Sequence, residues 1–85
     1  MLNKSNLITI IESAFKPLEC VAELQNYNHR LGFRVYFEGR VSYTHVEPNV
    51  NMLVDEGQLK SLINYYRNLI ESNGISLMPW VFLNN

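Results

Sequence analysis

The residues able to do chemistry are few in this sequence and widely spaced. Cys20 is the single cysteine, and His29 and His45 are the two histidines. A thiolate beside an imidazole would make a nucleophile and its base. Cys20, however, falls on the apolar side of a run in which Leu18, Cys20, Ala22 and Leu24 alternate with Glu19, Val21, Glu23 and Gln25. Thiols react where they are exposed in a polar, often cationic setting, so Cys20 reads as buried and inert. His45 and Glu47, two apart in an extended run, share one strand face and could supply two metal ligands. A zinc site needs three or four, and the third is missing unless Glu23 or a second chain provides it. Asp55 and Glu56 form a further acidic pair, at a place where a helix start already employs them. There is no glycine-rich phosphate loop, paired-histidine helix motif or serine elbow. The reading is of a chain that is not an enzyme, with no cofactor, no metal and no catalytic residue.

The elements that would position these groups follow from periodicity. Leu7, Ile8, Ile11, Ala14 and Phe15 fall in one arc with Thr9, Glu12 and Ser13 opposite, which predicts a helix over about 4–15. Asn3 or Ser5 caps it, and Pro17 forces Lys16 into extended geometry. Residues 18–27 alternate with period two, as a half-buried strand does. A second strand carries Leu31, Phe33, Val35 and Phe37 on one face and Arg34 and Tyr36 on the other. A two-residue turn at Asn28-His29 would oppose Glu23 to Arg34, Val21 to Tyr36 and Leu24 to Phe33. It leaves Glu19 facing Glu38, which a register shift of two would relieve. The next hairpin turns at Glu38-Gly39 or Gly39-Arg40. Either turn sends Ser42, Thr44 and Val46 inward and Val41, Tyr43 and His45 outward. A three-residue loop would reverse this and bury Tyr43, because one slip in a strand flips every side chain.

Pro48 ends the third strand, and the alternation of Val50, Met52 and Val54 allows a short fourth over 50–54. Asp55 followed by Gln58 is a capping pattern. Leu59, Leu62, Ile63, Tyr66, Leu69 and Ile70 then share one helix face, with Lys60, Asn64, Arg67, Asn68 and Glu71 opposite. Gly74 fits the left-handed position after the helix, where Ile75 can fold back on Ile70. The tail from Ile75 through Trp80 to Leu83 is too apolar to hang in water. Pro79 makes it an edge strand or an irregular segment laid across the sheet. The expected fold class is α+β: a two-layer sandwich of N-terminal helix, three- or four-stranded antiparallel meander, C-terminal amphipathic helix and apolar tail, αβββ(β)α.

Composition bounds the rest. Eighty-five residues make one small domain spanning 1–85, and area scaling buries roughly 64% of the chain's surface, enough for one modest core. An apolar share of 47% excludes disorder. A net charge of −1, with eleven asparagines in place of much of the usual charge, argues against a general nucleic-acid binder. One cysteine and no leader-like segment point to a reducing, cytoplasmic setting. No stretch reaches the about 18 apolar residues that a membrane span needs.

What remains is the outer face of the sheet. On this register it carries Val21, Tyr36 and Tyr43 beside Glu23, Arg34 and His45, with Tyr27 at one end. Tyrosine and arginine are enriched where proteins meet. Those residues and Trp80 of the tail are the candidate contacts of a non-catalytic protein-binding module: an adaptor, regulator or stoichiometric inhibitor. Self-association into a homodimer is an allowed case. The order of elements also resembles that of the double-stranded-RNA-binding domain. That resemblance implies lysines at the start of the second helix for phosphate contact, where this chain has Asp55-Glu56. The order looks, too, like the layout of some small phage-encoded anti-CRISPR proteins, a likeness of topology over most of the chain without a shared motif. It implies, as an alternative, an inhibitor of a host defence complex. A small nucleic-acid-associated regulator using Arg30, Arg34, Arg40, Tyr36 and Tyr43 is the other alternative.

Overall fold

The computed structural model describes residues 2–80. Helix α1 spans Lys4–Ser13, and the Asn3 side chain caps it by accepting from the Asn6 amide at 2.9 Å. Leu7 and Ile11 are fully buried, and Ala14 and Phe15 continue the same stripe just past the helix end. The helix stops two residues short of the expected position. The Ala14 amide bonds to the Ile11 carbonyl, three residues back, and this tighter turn closes the helix ahead of Pro17.

Three antiparallel strands follow, β1 (Glu19–Gln25), β2 (Arg30–Phe37) and β3 (Arg40–Glu47), in the order β1-β2-β3. The first hairpin has a four-residue connection, not the expected two-residue turn. Gln25 pairs with Arg30, and Asn26, Tyr27 and Asn28 all take positive φ, between 53° and 66°. Asparagine tolerates that conformation, so Asn28, which suggested a tight turn, instead joins Asn26 in supporting a longer one. The register moves by two, placing Glu19 opposite Tyr36, Val21 opposite Arg34 and Ala22 opposite Phe33. A shift of two keeps every side chain on its expected face, and the Glu19–Glu38 conflict disappears.

The second hairpin turns on Glu38 and Gly39, with φ of 52° and 80°, the primed geometry a two-residue turn needs. The expected facing of β3 is nevertheless overturned. Tyr36 pairs with Val41 but Val35 pairs with Tyr43, so Ser42 is an extra residue bulged out of the ladder. Beyond the bulge the parity reverses. Tyr43 and His45 lie on the inner face, opposite Val35 and Phe33, while Thr44 and Val46 are exposed on the outer one. A longer loop would have had the same effect; the chain achieves it with a bulge.

Residues 50–54 do not form a fourth strand. Val50–Met52 is a 3₁₀ turn in which Val50 and Leu53, three apart, are both buried. The Asn49 side chain caps it by accepting from the Asn51 amide, and the Val50 amide donates to the His29 carbonyl. Helix α2, Glu56–Ser72, begins with the Asp55 carboxylate accepting from the Gln58 amide at 3.1 Å. It ends as expected in a Schellman motif. Gly74 takes φ 88°, its amide bonds to the Glu71 carbonyl, and the Ile75 amide bonds to the Ile70 carbonyl.

Both helices pack on the inner face of the sheet. Phe15 stacks on Phe33 with ring centroids 5.8 Å apart, and Tyr66 of α2 meets Phe33 edge-on at 5.4 Å. Leu7, Ile11, Leu31, Val35, Leu59, Ile63 and Ile70 complete a wholly apolar core; among the described residues no polar or charged side chain is fully buried. The Glu12 carboxylate accepts from the Ala22 amide at 2.9 Å and so covers the free edge of β1. Of the tail, Ile75, Leu77 and Trp80 pack against the core. The Met78 amide donates to the Lys16 carbonyl, and Arg67 of α2 donates to the carbonyls of Ala14 and Met78. The described part of the tail is therefore irregular and lies along the α1–β1 connection and α2, not across the sheet. The expected continuation of the tail to Leu83 lies outside the described residues.

Candidate interaction face

The outer face of the sheet is built by strand parity. From β1 it takes Glu19, Val21, Glu23 and Gln25, from β2 Arg30, Gly32, Arg34 and Tyr36, and from β3 Val41, Thr44 and Val46. Its rows across the strands run Glu19–Tyr36–Val41, Val21–Arg34–Thr44 and Glu23–Gly32–Val46. These replace the expected rows through Tyr43 and His45. Val21, Val41 and Val46 keep 37%, 49% and 44% of their surface exposed, a branched apolar set on a face that the described residues leave open. Arg34 reaches Glu23 at 3.7 Å, diagonally rather than directly across, and Gln25 donates to the same Glu23 carboxylate at 2.8 Å. Both charged side chains remain about half exposed, so the pair contributes at most about 1 kcal/mol. Its effect is to hold the charges in one place.

Between Val21, Arg34, Glu23 and Val46 the face dips into a depression of about 70 Å³ over Gly32. Gly32 has ordinary strand backbone, and a methyl group built on it would meet mainly the Gln25 side-chain amide, at 3.1 Å. Gly32 is itself buried, and its lack of a side chain lets the Gln25 amide, bonded to Glu23, lie over the strand.

The expected contact residues thus divide. Val21, Glu23, Arg34 and Tyr36 share the outer face, Tyr36 half-buried between Glu19 and Val41. Tyr27 stands at the tip of the first hairpin, 93% exposed and at φ 56°. An aromatic residue held left-handed in open solvent is costly, and it sits beyond the Gln25–Arg30 end of the same face. Tyr43, His45 and Trp80 belong elsewhere. Tyr43 is half-buried on the inner face, where its hydroxyl accepts from the Asn73 amide group at 2.7 Å. Trp80 packs against the core.

Comparison with protein-family models, curated proteins and solved structures finds no match for this chain.

The groups that suggested catalysis are occupied in the fold. Cys20 is buried, and burial together with the nearby Glu12 carboxylate pushes its thiol up to about 12, where no thiolate forms at neutral pH. The His45 ring lies over Phe33 at 5.6 Å, and the Tyr66 hydroxyl and His45 Nδ1 are hydrogen-bonded at 3.0 Å. With the hydroxyl donating, the imidazole proton sits on Nε2, which is buried and has no partner among the described residues. Burial lowers the His45 pKa, opposed in part by Glu47, and burial raises that of Tyr66. His45 is a neutral member of an aromatic cluster. Among the described residues no group of three or more histidine, cysteine or acidic side chains could hold a metal, and no helix is long and apolar enough to cross a membrane.

Three residues with structural tasks escaped sequence reasoning. Glu12 and Arg67 both fall on the polar sides of their helices, where a solvated charge and a bonded one have the same sequence signature. For Gly32 the sequence gives only its place on the outer face of the second strand, beside Arg34 and Tyr36. A glycine at the middle of an otherwise β-branched and aromatic strand was the available signal.

Proposed function

We propose that this protein is a non-catalytic protein-binding module that works through the outer face of its sheet. One observation carries the reading: the described residues leave the face opposite the helices open, presenting Val21, Val41 and Val46 around Tyr36 and the Glu23–Arg34 pair. Apolar side chains surrounded by tyrosine and paired charge are the composition of a protein contact, not of plain solvated surface. The charge pattern favours a protein over nucleic acid. Arg34 already has a carboxylate partner, and Glu19 and Glu23 line the adjoining strand, so phosphate would meet negative charge along the edge of the patch. The tail is the lesser candidate, because Ile75, Leu77 and Trp80 are engaged with the protein's own core.

Site-specific photo-crosslinking tests this in the native cell. A photoreactive residue at Thr44, exposed on the outer face, should yield a discrete protein adduct, and one at Asn64, exposed on α2, should not. Tyr36→Lys should suppress the Thr44 adduct, since a charge on the central strand of the patch, one row from Thr44, resists desolvation. Equal adducts from both positions, or an adduct indifferent to Tyr36→Lys, would place the contact elsewhere.

A further inference from the structure

β3 is an edge strand, and its free side is open among the described residues. Counted from the Phe37–Arg40 pair that closes the two-residue turn, the amides and carbonyls of Thr44 and Val46 point away from β2. An open row of backbone donors and acceptors is a template for another strand. The other edge of the sheet differs, because the Glu12 carboxylate already takes the Ala22 amide of β1. Helix α2 lies over the β3 side: Tyr66 bonds to His45 and Asn73 to Tyr43, whereas Arg67 reaches across to Ala14 beside α1. At about 100° per residue, Leu62, Tyr65 and Leu69 stand on the flank of α2 turned away from Arg67. Tyr65 is 62% exposed and Leu69 36%. The charged side chains of the helix, Glu56, Lys60, Arg67 and Glu71, all fall within an arc of about 60° on the α1 side. The flank beside β3 has none, and surface that is apolar, aromatic and without charge is the composition of a contact core.

We propose that two copies of this chain join through their β3 edges, antiparallel about a two-fold axis, with the uncharged flanks of their α2 helices packed side by side. The outer face takes no part in this contact, so the inference stands apart from the reading of that face. One axis serves both elements. Placed at His45, it sets Thr44 of each copy opposite Val46 of the other, and the groups that point away from β2 then bond in both directions. On α2, Leu62 and Leu69 are equally distant from the midpoint between Tyr65 and Tyr66, and Tyr66 is the residue bonded to His45. The same axis therefore brings Leu62 of one helix toward Leu69 of the other. Charge agrees with this arrangement. Arg40 and Glu47 stand at the two ends of β3, and antiparallel copies place unlike charges at the same end, where parallel ones would place like charges. The Ser42 bulge and Pro48 confine the open stretch, and the β1 edge is covered, so the assembly closes as a dimer and does not run on.

Sedimentation equilibrium of the purified chain over a wide concentration range, with amide hydrogen exchange on the same samples, tests the pairing. The mass should rise from monomer to dimer, and the Thr44 and Val46 amides should exchange more slowly as it does. Leu69→Lys puts a charge on the contact flank at an exposed position and should weaken the dimer roughly tenfold or more. Asn64→Lys puts the same charge on the other side of α2, exposed and away from the contact, and should leave the dimer unchanged. Thr44→Pro removes an amide that points away from β2 and should weaken the dimer comparably. A chain that stays monomeric at every concentration overturns the proposal, as does a dimer in which the Thr44 and Val46 amides gain no protection. A dimer equally weakened by Leu69→Lys and Asn64→Lys, or lost on Tyr36→Lys instead, overturns it too, the last by placing the contact on the outer face. The wild-type exchange measurement decides the matter even where Thr44→Pro fails to fold.

Discussion

The bulge at Ser42 decides which tyrosine belongs to the core, and two substitutions expose its effect. Tyr43 lies inward of the bulge, half-buried and bonded to Asn73, while Tyr36 lies outward on the neighbouring strand. Full burial of a large apolar side chain contributes about 1.5–3 kcal/mol. Partial burial of the Tyr43 ring, together with about 1 kcal/mol for its hydrogen bond, gives roughly 2–3 kcal/mol for Tyr43→Lys. Tyr36 is half-buried too, but between Glu19 and Val41 on the outer face and not against the core, so Tyr36→Lys should cost only about 1 kcal/mol. At about 4–8 °C per kcal/mol for a domain of this size, Tyr43→Lys should lower Tm by roughly 8–24 °C. Circular dichroism during thermal and urea unfolding, with the wild type and both variants in one buffer, measures the contrast. Equal losses from the two variants, or a larger loss from Tyr36→Lys, would refute the bulge and restore the regular ladder with Tyr43 outward.

Further expectations follow from other contacts. Arg67→Ala removes donors from the carbonyls of both Ala14 and Met78. It should cost about 2 kcal/mol and make the tail a protease site before the domain unfolds; a tail equally resistant in the variant would show that its apolar contacts suffice. Gly74→Ala places a side chain at φ 88° with open space around it, so backbone strain alone should destabilise by about 1 kcal/mol, and an unchanged urea midpoint would contradict the Schellman end. His45 should make stability depend on pH. Its folded pKa is lowered, chiefly by burial, so the unfolded chain binds the proton first. The neutral ring's contribution is present above the ordinary value of about 6.5 and is lost as pH falls from there through the lowered folded value. Urea midpoints between about pH 7.5 and 5.5 should fall more in the wild type than in His45→Gln; identical slopes would mean that His45 does not titrate in this window.

Some of this architecture is legible in the residues, for physical reasons particular to each element. Asn3 before Leu7, Ile11 and Phe15, and Asp55 before a stripe ending at Gly74, mark helices by caps and period together. Neither signal depends on what packs nearby. Strand faces in β1 and β2 read correctly because their alternation survives a register shift of two. The reading fails where one residue changes parity. Ser42 carries no mark of a bulge, and hydrophobicity was the better guide there than turn geometry, because Tyr43 had more apolar surface to bury than Ser42 or Thr44. Val50 and Leu53 were read with period two when their spacing of three was the stronger pattern. Glu12 and Arg67 bond to backbone groups distant in sequence, which no local pattern reports. For the outer face of the sheet, the positions of Val21, Glu23, Arg34 and Tyr36 are legible from alternation. Val41's partners and the seating of Gln25 over Gly32 depend on the bulge and the shifted register.

The central claim, that the outer face binds a protein, is tested most directly by titrating the purified partner recovered from the Thr44 crosslink. Binding is measured against the wild type and Tyr36→Lys at low and high salt. The account predicts that Tyr36→Lys weakens binding roughly tenfold or more while the wild-type affinity changes little with salt. Equal affinity for both chains, or wild-type binding that collapses as salt rises, would contradict it.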